Sequence, residues 1–320
     1  MQTTLRRIIT GRHSRQGIWI APLALCLGGA LWLTLATPEF ATPTNAANLA
    51  SQAMPLVIVA VGQLMVVLLG GLDLSVGAVI SLSTAILAMG GPAWLLLVGV
   101  FAAAAVIGAV NGVVVARLRV NPIIATLATQ MIVMGIVRIL RPEAGGSVPG
   151  LVTDAVNGRV LGLPASVFWG VLVLVAAWKI LYGSRFGLHL FAIGGGVSSG
   201  REDAVRTFGI DGTRVIVRAY VLCALLAAVA GVFLAGRIAS GDPNVGPPFA
   251  LDAITAVAIG GTQLSGGIGS LHGTVIGAVL MALLSNGMNL TNVSAFVQTA
   301  IKGSILLAVV ALQRRNRMGL

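Results

Sequence analysis

The sequence predicts an all-α membrane protein, a polytopic bundle of about ten transmembrane helices. Hydrophobic residues make up 57% of the 320 residues and charged residues only 9%, whereas a soluble domain carries about 25% charged residues. Because so few charged residues could not cover a water-exposed surface, lipid must solvate most of the chain. The 42 glycines fit this class, because small residues let membrane helices approach closely.

Each membrane-spanning helix needs about 20 mainly apolar residues. Ten segments meet this condition: 17–37, 47–70, 73–90, 92–116, 122–140, 164–183, 215–237, 247–262, 268–288 and 294–312. Only a Gly-Gly-Leu-Asp stretch separates the second from the third, and only a Gly/Ser-rich stretch separates the eighth from the ninth. We expect the first to be an uncleaved span, since it lacks a convincing signal-peptide cleavage site.

The basic residues predict the orientation of the spans. With ten spans and a cytoplasmic N-terminus, 14 of the 20 Lys and Arg residues fall on the cytoplasmic side, four outside and two within spans. This asymmetry follows the positive-inside rule. We therefore expect one transmembrane domain over 1–320, with a cytoplasmic N-terminus (1–16), a cytoplasmic loop (184–213) and a cytoplasmic tail (313–320).

Several function classes are disfavoured by the same residues. The net charge of +11 does not indicate nucleic-acid binding, because the basic residues punctuate hydrophobic runs. Cys26 and Cys223 lie in apolar runs and are expected to be small buried hydrophobic residues. His272 near Ser265 and Ser270 is the only approach to a catalytic group, and no acidic residue lies nearby. We expect neither a catalytic nor a metal site.

Two short segments resemble each other: GGLDLSVG at 70–77 and GGTQLSGG at 260–267. Both follow an apolar run at the predicted cytoplasmic end of a span. Glycine pairs let the backbone leave the helix, and unwound backbone at membrane depth needs protein or a water-filled cavity to satisfy it. Paired interruptions mark candidate pathway elements; two tight turns between packed helices are the alternative. The pathway candidates here are Gly70, Gly71, Asp73, Ser75, Gly260 and Gly261.

At these residues the chain resembles the sugar permeases of bacterial ATP-binding-cassette (ABC) importers, the membrane subunits similar to the ribose permease. Segment 70–77 resembles their GGIDLSVG signature, and 251–262 resembles their LDAIAAVVLGGT stretch. Asn111-Gly112 resembles an N-G pair ahead of a basic turn, 121–127 a proline-opened span and 266–269 a GGxG motif. The resemblance covers nearly the whole chain in the family's order.

The resemblance implies a permease for a pentose or hexose in the bacterial cell inner membrane. It implies three partners besides the lipid bilayer: an ABC ATPase subunit, a periplasmic sugar-binding protein and a second permease copy or paralogue. The chain contains no G-x-x-x-x-G-K-[ST] phosphate loop. We therefore expect this chain to bind no cofactor and not to be an enzyme itself. ATP and Mg are expected on the partner ATPase.

A neutral polyol needs hydrogen-bonding side chains along its pathway. Polar residues within the predicted spans are few: Gln63, Asn111, Gln130, Asn286 and Gln298. Ionisable residues are fewer, and a charge at the bilayer centre costs about 2.5–3.5 kcal/mol on insertion scales. Lys302 lies in mid-span and Asp252 near the outer start of the eighth span. Asn111, Asp252 and Lys302 are pathway candidates. The alternative for Asn111 is a hydrogen bond to a neighbouring helix, and for Asp73, Asp252 and Lys302 it is a structural ion pair or helix cap.

The segment 184–213 is the expected docking surface for the ATPase, a solvated linker being the alternative. Its outline from 204 to 210 resembles the family's GGNxxAARLSGI stretch, while the part before it differs. We expect a short helix within 186–210. The coupling candidates are Phe186, Gly187, Glu202, Asp203, Arg206 and Gly209.

Two other transporter classes stay open. Permeases for branched-chain amino acids have a similar span pattern but typically lack the Asp of GGLDLS, so Asp73 favours a sugar. An ion-coupled secondary transporter needs membrane-embedded carboxylates. Only Asp73 and Asp252 qualify, and both lie near span ends.

Overall fold

The computed structural model describes residues 20–160, 163–198 and 210–312. These residues form a helical bundle, with one antiparallel pair of two-residue strands. The helices are α1 (Ile20–Ala36), α2 (Pro43–Leu68), α3 (Val76–Leu87), α4 (Ala93–Ala116), α5 (Pro122–Leu140), α6 (Gly150–Asn157), α7 (Ala165–Gly183), α8 (Arg185–Ser198), α9 (Gly212–Ile238), α10 (Pro247–Ile259), α11 (Leu271–Leu290) and α12 (Ala295–Leu312). The strands are β1 (Arg159–Val160) and β2 (Leu163–Pro164).

Seven of the described helices are long and apolar enough to cross a membrane: α2, α4, α5, α7, α9, α11 and α12. Three further apolar helices, α1, α3 and α10, are shorter. Together these ten helices overlap the ten predicted spans. The helix α3 has 12 residues and rises about 18 Å, against roughly 30 Å of bilayer hydrocarbon. As a helix it is therefore much shorter than that thickness.

Local capping explains where several helices begin. The Asn121 side chain accepts a hydrogen bond from the Ile123 N–H at 2.9 Å, and Pro122 occupies the first helical turn of α5. This confirms the predicted proline-opened span. The Ser270 hydroxyl likewise accepts from the Gly273 N–H at 3.2 Å at the start of α11. Both caps satisfy amide groups that a helix terminus leaves without an intrahelical partner.

The core of the bundle is built around α2 and α9. Every residue from Pro55 to Leu68 is buried, and α9 packs against α2, α3 and α4. The α4–α9 contact depends on glycines: a Cβ on Gly108 would lie 2.7 Å from the Tyr220 carbonyl oxygen, and one on Gly112 would lie 2.6 Å from the Val217 Cα. Small residues therefore bring the two backbones together, as is usual where lipid supplies no hydrophobic drive.

The peripheral helices present large apolar side chains to the outside. None of the residues of α12 is buried, and this helix packs against α10. Exposed side chains include Ile139 on α5 (82%), Leu172 on α7 (68%) and Phe296 on α12 (88%). Such a surface would be unfavourable in water, so the helices face lipid.

The predicted cytoplasmic segments are described in part. Residues 1–16 and 313–320 lie outside the described residues. Within 184–213, α8 forms directly after α7, and α9 begins at Gly212. The first part of the expected coupling segment is therefore helical.

Candidate functional site

The helix α2 ends in the first glycine pair. Gly70 has φ +79°, and the Gly71 N–H donates to the Val66 carbonyl at 3.1 Å. A left-handed residue followed by a six-to-one hydrogen bond is the Schellman ending of a helix. The backbone then stays non-helical until α3 begins at Val76. The helix therefore breaks at the predicted glycine pair, which agrees both with a pathway interruption and with the alternative of a tight turn between packed helices.

The second interruption follows α10 and has the same ending. Gly261 has φ +84°, and the Thr262 N–H donates to the Val257 carbonyl at 3.2 Å. The two segments therefore resemble each other in structure as well as in sequence, but the structural match is shifted by one residue from the sequence match. The sequence pattern pairs Gly70 with Gly260, whereas the left-handed conformation pairs Gly70 with Gly261.

The two interruptions meet in space. The Gly267 N–H donates to the Leu68 carbonyl at 2.9 Å, so the α10–α11 connection satisfies a carbonyl in the last turn of α2. Gly266 is left-handed, with φ +89°, and a Cβ there would lie 2.8 Å from the Gly70 nitrogen. Only glycine allows both this conformation and this approach.

A third glycine segment, in α8, packs against the same point. A Cβ on Gly194 would collide with the Leu68 carbonyl oxygen, and one on Gly267 would lie 2.8 Å from the Gly195 Cα. We call residues 68–71, 194–195 and 266–267 the glycine junction. Gly194 and Gly195 were not among the predicted coupling residues, although the Gly-Gly-Gly run at 194–196 is a sequence signal that could have found them.

A polar chain leads away from the first interruption. The Asp73 Oδ1 accepts hydrogen bonds from the Ser75 N–H (2.9 Å) and the Ser75 Oγ (2.6 Å). Asn111 on α4 donates through Nδ2 to the Ser75 Oγ at 2.9 Å. Thr129 on α5 donates through Oγ1 to the Asn111 Oδ1 at 2.6 Å. Asp73, Ser75 and Asn111 are buried, so the chain ties the unwound backbone to two neighbouring helices.

Gln63 on α2 satisfies the unwound backbone from the other side. Its side chain is fully buried. In the amide orientation that gives both polar atoms of the Gln63 side chain a partner, the nitrogen donates to the Asp73 carbonyl oxygen at 3.1 Å. The side-chain oxygen then accepts from the Asp73 N–H, also at 3.1 Å. Backbone groups that leave a helix inside a membrane need such partners. Gln63 is one of the polar residues noted within the predicted spans, but its pairing with Asp73 was not predicted, and Thr129 was not among the candidates.

Two of the three charged pathway candidates form an ion pair away from the glycine junction. Lys302 Nζ on α12 lies 2.7 Å from Asp252 Oδ2 on α10, with side-chain exposures of 22% and 13%. Asp252 is eight residues before Gly260, which is about 12 Å along a helix. The ion-pair alternative is therefore the arrangement found, and it joins the peripheral helix α12 to the bundle.

The structure thus sorts the predicted pathway residues into three groups. Gly70, Gly71, Gly260 and Gly261 belong to the two interruptions, while Asp73, Ser75 and Asn111 form the polar chain. Asp252 and Lys302 form the ion pair. Within the described ranges, no group of three or more His, Cys, Asp or Glu side chains could hold a metal ion.

The coupling candidates are divided by what the structure describes. Phe186 and Gly187 lie in the first turn of α8, where Phe186 packs against the core. The Gly187 N–H donates to the Ser184 Oγ at 3.2 Å. Seven residues of helix, about 10 Å, separate Gly187 from Gly194 at the junction. The remaining candidates lie outside the described residues: Glu202, Asp203, Arg206 and Gly209.

Known proteins resemble this chain over most of its length. The family described as "Branched-chain amino acid transport system / permease component" matches residues 45–310. The ribose import permease protein of Escherichia coli (strain K12) is 36% identical over 324 aligned positions, covering 97% of this chain and 98% of that protein. No solved structure matches the chain.

Two further relatives show the spread of the family. The ribose import permease protein of Bacillus subtilis (strain 168) is 38% identical and covers 89% of each chain. The L-arabinose transport system permease protein of Escherichia coli (strain K12) is 33% identical, covering 87% of this chain and 84% of that protein. With the seven apolar helices, these matches confirm the predicted multi-pass inner-membrane permease. This chain belongs to the permease-component family that contains the ribose and L-arabinose permeases.

Proposed function

We propose that the chain is the membrane-spanning permease subunit of an ABC importer that carries a pentose or hexose across the bacterial inner membrane. The observation that carries this proposal is the 36% identity to a ribose import permease over 97% of the chain. The family description names branched-chain amino acids, but the relatives named above carry sugar names. The motif GGLDLS with Asp73 favours the sugar class as well.

The proposed topology has ten crossings and both termini in the cytoplasm. Three of the ten apolar helices are shorter than the other seven, with 17 described residues in α1, 12 in α3 and 13 in α10. Two of these, α3 and α10, adjoin the glycine interruptions, so that non-helical backbone supplies the remaining length. The distribution of Lys and Arg supports this arrangement.

The proposed assembly places the energy source on another chain. An ABC ATPase subunit would bind ATP and Mg, and a periplasmic sugar-binding protein would deliver the sugar. A second permease copy or a paralogue would complete the pathway. The resemblance to permease components of sugar importers supports these partners.

The glycine junction suggests how hydrolysis would reach the pathway. We infer that segment 184–213 docks on the ATPase and that α8 passes its displacement to the junction. There Gly194 lies against the end of α2 and against the 266–267 turn. A displacement of α8 would therefore act on both interruptions at once. The polar chain through Asp73, Ser75 and Asn111 adjoins the first interruption and would change with it.

The coupling proposal is tested by charge reversal at Glu202 and Asp203, written Glu202→Lys and Asp203→Lys. We expect ATP hydrolysis by the assembled complex to continue while uptake falls, because the docking surface loses its charge pattern. The rates of ATP hydrolysis and of sugar uptake are measured in the same proteoliposomes. Full coupling in the double variant would refute the docking role of these residues.

The substrate proposal is tested by reconstituting the chain with the ATPase and binding protein encoded by neighbouring genes. Uptake of radiolabelled ribose, arabinose and leucine is then compared with and without ATP. We expect ATP-dependent uptake of a sugar, abolished by an ATPase variant that cannot hydrolyse ATP. Uptake of leucine alone would favour the amino-acid alternative, and uptake driven by an ion gradient without ATP would overturn the ABC assignment.

A further inference from the structure

An apolar groove with a basic end runs between α7 and α11. Its volume is about 630 Å³. Eight residues line it, and none is acidic: Leu174, Val175, Trp178, Lys179, Leu271, His272, Val275 and Ile276. On each helix the lining residues are two adjacent pairs spaced four residues apart, so each helix contributes one continuous face. The groove lies outside the glycine junction and outside the polar chain.

The two basic groups lie at the same end of the groove. Lys179 is in the last turns of α7, and His272 is the second residue of α11. The Leu271 N–H donates to the Tyr182 hydroxyl at 3.1 Å, which holds the end of α7 against the start of α11. Both basic side chains are exposed. The lining residues at the other end of the groove are aliphatic on both helices.

Aromatic residues indicate the depth of this end in the bilayer. Trp178 is 56% exposed and Tyr182 is 43% exposed, and their ring centroids are 4.8 Å apart. Exposed Trp and Tyr residues concentrate at the level of the lipid head groups. The basic end of the groove therefore lies at head-group depth, and in the proposed topology it faces the cytoplasmic leaflet.

Among the described residues, the basic groups of the groove have no acidic counter-ion. In the part of the chain that the structure describes, the two ion pairs are Arg214–Asp211 and Lys302–Asp252, so Lys179 has no acidic partner there. A basic pocket between helices on the cytoplasmic side, continuous with an apolar surface, is chemically complementary to an anionic phospholipid. A neutral lipid would fill the apolar part but leave Lys179 uncompensated.

We propose that this groove binds one anionic phospholipid of the cytoplasmic leaflet. Its phosphate group is held by Lys179 and His272, and its acyl chain lies along Leu174, Val275 and Ile276. The lipid joins the end of α7 to the start of α11. The helix α7 is followed directly by α8, and α11 directly follows the 266–267 turn. The lipid therefore stiffens two of the segments that meet at the glycine junction. Binding itself does not depend on the proposed transport function.

The test uses the purified full-length chain and native mass spectrometry with phosphatidylglycerol and phosphatidylcholine as the probes. We expect about fivefold preferential retention of phosphatidylglycerol, the effect of one lysine near an anionic lipid. The variant Lys179→Gln/His272→Gln is expected to lose the preference. The matched control Arg117→Gln removes an exposed basic residue at another predicted cytoplasmic span end and is expected to keep it.

A second readout locates the acyl chain. Phosphatidylglycerol with brominated acyl chains quenches nearby tryptophans, which include the exposed Trp32 and Trp94. We expect Trp178→Phe to remove the part of the quenching that the Lys179→Gln/His272→Gln variant also loses. Equal retention of both lipids, an unchanged Lys179→Gln/His272→Gln variant, or a dimer that forms through this groove in place of lipid would each overturn the proposal. Size-exclusion profiles of the variants verify that they remain folded.

Discussion

At the scale of single residues, the burial of a polar chain next to unwound backbone is the central feature. Ser75 acts in two directions, since its hydroxyl donates to Asp73 and accepts from Asn111. Buried polar groups are costly when left unpaired, so this one hydroxyl satisfies two neighbours at once. The sequence motif drew attention to Asp73 and Ser75. The roles of Gln63 and Thr129 depended on distances that no local pattern contains.

Removal of the Ser75 hydroxyl should destabilise the bundle. Ser75→Ala leaves the Asn111 Nδ2 without its acceptor and takes one donor from Asp73. We expect a loss of about 1–3 kcal/mol, the usual cost of an unsatisfied buried polar group, measured by thermal unfolding in detergent. Ser304→Ala is the control, because this hydroxyl is exposed and bonds only within its own helix. Equal losses of stability in the two variants would contradict a stabilising role for the polar chain through Asp73, Ser75 and Asn111.

At the scale of elements, two helix ends and one helix side meet through glycine. Leu68, Gly194 and Gly267 come from α2, α8 and the α10–α11 connection, and their backbones approach without intervening side chains. Such contact transmits displacement directly, because no flexible side chain lies between the backbones. The hydropathy pattern located each element, while the approach of the three is a property of the packed bundle.

Neighbouring glycines in α8 give a matched pair of variants. Gly194→Ala places a methyl group into the Leu68 carbonyl, whereas a Cβ on Gly195 meets no atom within 4 Å. We expect Gly194→Ala to lower sugar uptake per ATP hydrolysed in the reconstituted complex at least severalfold, and Gly195→Ala to leave the ratio unchanged. An unchanged ratio in Gly194→Ala, with normal assembly, would separate the junction from coupling.

The ion pair between α10 and α12 gives a second prediction at this scale. Lys302→Met leaves Asp252 without its cationic partner, and we expect a loss of about 1.5–3 kcal/mol, the range for hydrogen bonds to charged groups. Thermal unfolding in detergent measures it. The exchanged variant Lys302→Asp/Asp252→Lys should recover part of the loss. An exchange no more stable than Lys302→Met would show that the pair does not hold α12 in place.

At the scale of the whole molecule, burial separates an inner layer from an outer one. The helices α2, α3 and α9 form the inner layer, and α12 contributes no buried residue. Lipid and partner chains therefore have access to α12. This layering agrees with a permease whose outer helices contact the bilayer or a second permease, while the interruptions lie inside.

Reporter fusions test the ten-crossing topology. A fluorescent protein joined after Leu320 should fluoresce, because a C-terminus in the cytoplasm lets it fold, and alkaline phosphatase joined after Gly145 should be active outside. Fluorescence and phosphatase activity in whole cells measure both. A dark C-terminal fusion with normal expression would place the C-terminus outside the cytoplasm and contradict the proposed topology. The same phosphatase joined at Arg119 is the control and should be inactive.

The sequence by itself determined the membrane class, the ten apolar helices and the position of the two glycine breaks, but not α6 or the β1–β2 pair. These follow from local properties, namely runs of apolar residues, glycine pairs and the placement of basic residues, and they appear close to their predicted bounds. It also pointed to the family, because the motifs are contiguous in the chain.

Only the tertiary structure decided which of these features act together. It paired Lys302 with Asp252, brought Gly194 and Gly267 to the end of α2, and matched Gly70 with Gly261 instead of Gly260. The physical reason is that these contacts join residues tens to hundreds of positions apart. Their geometry is set by how whole helices pack, and small residues permit that packing without specifying partners.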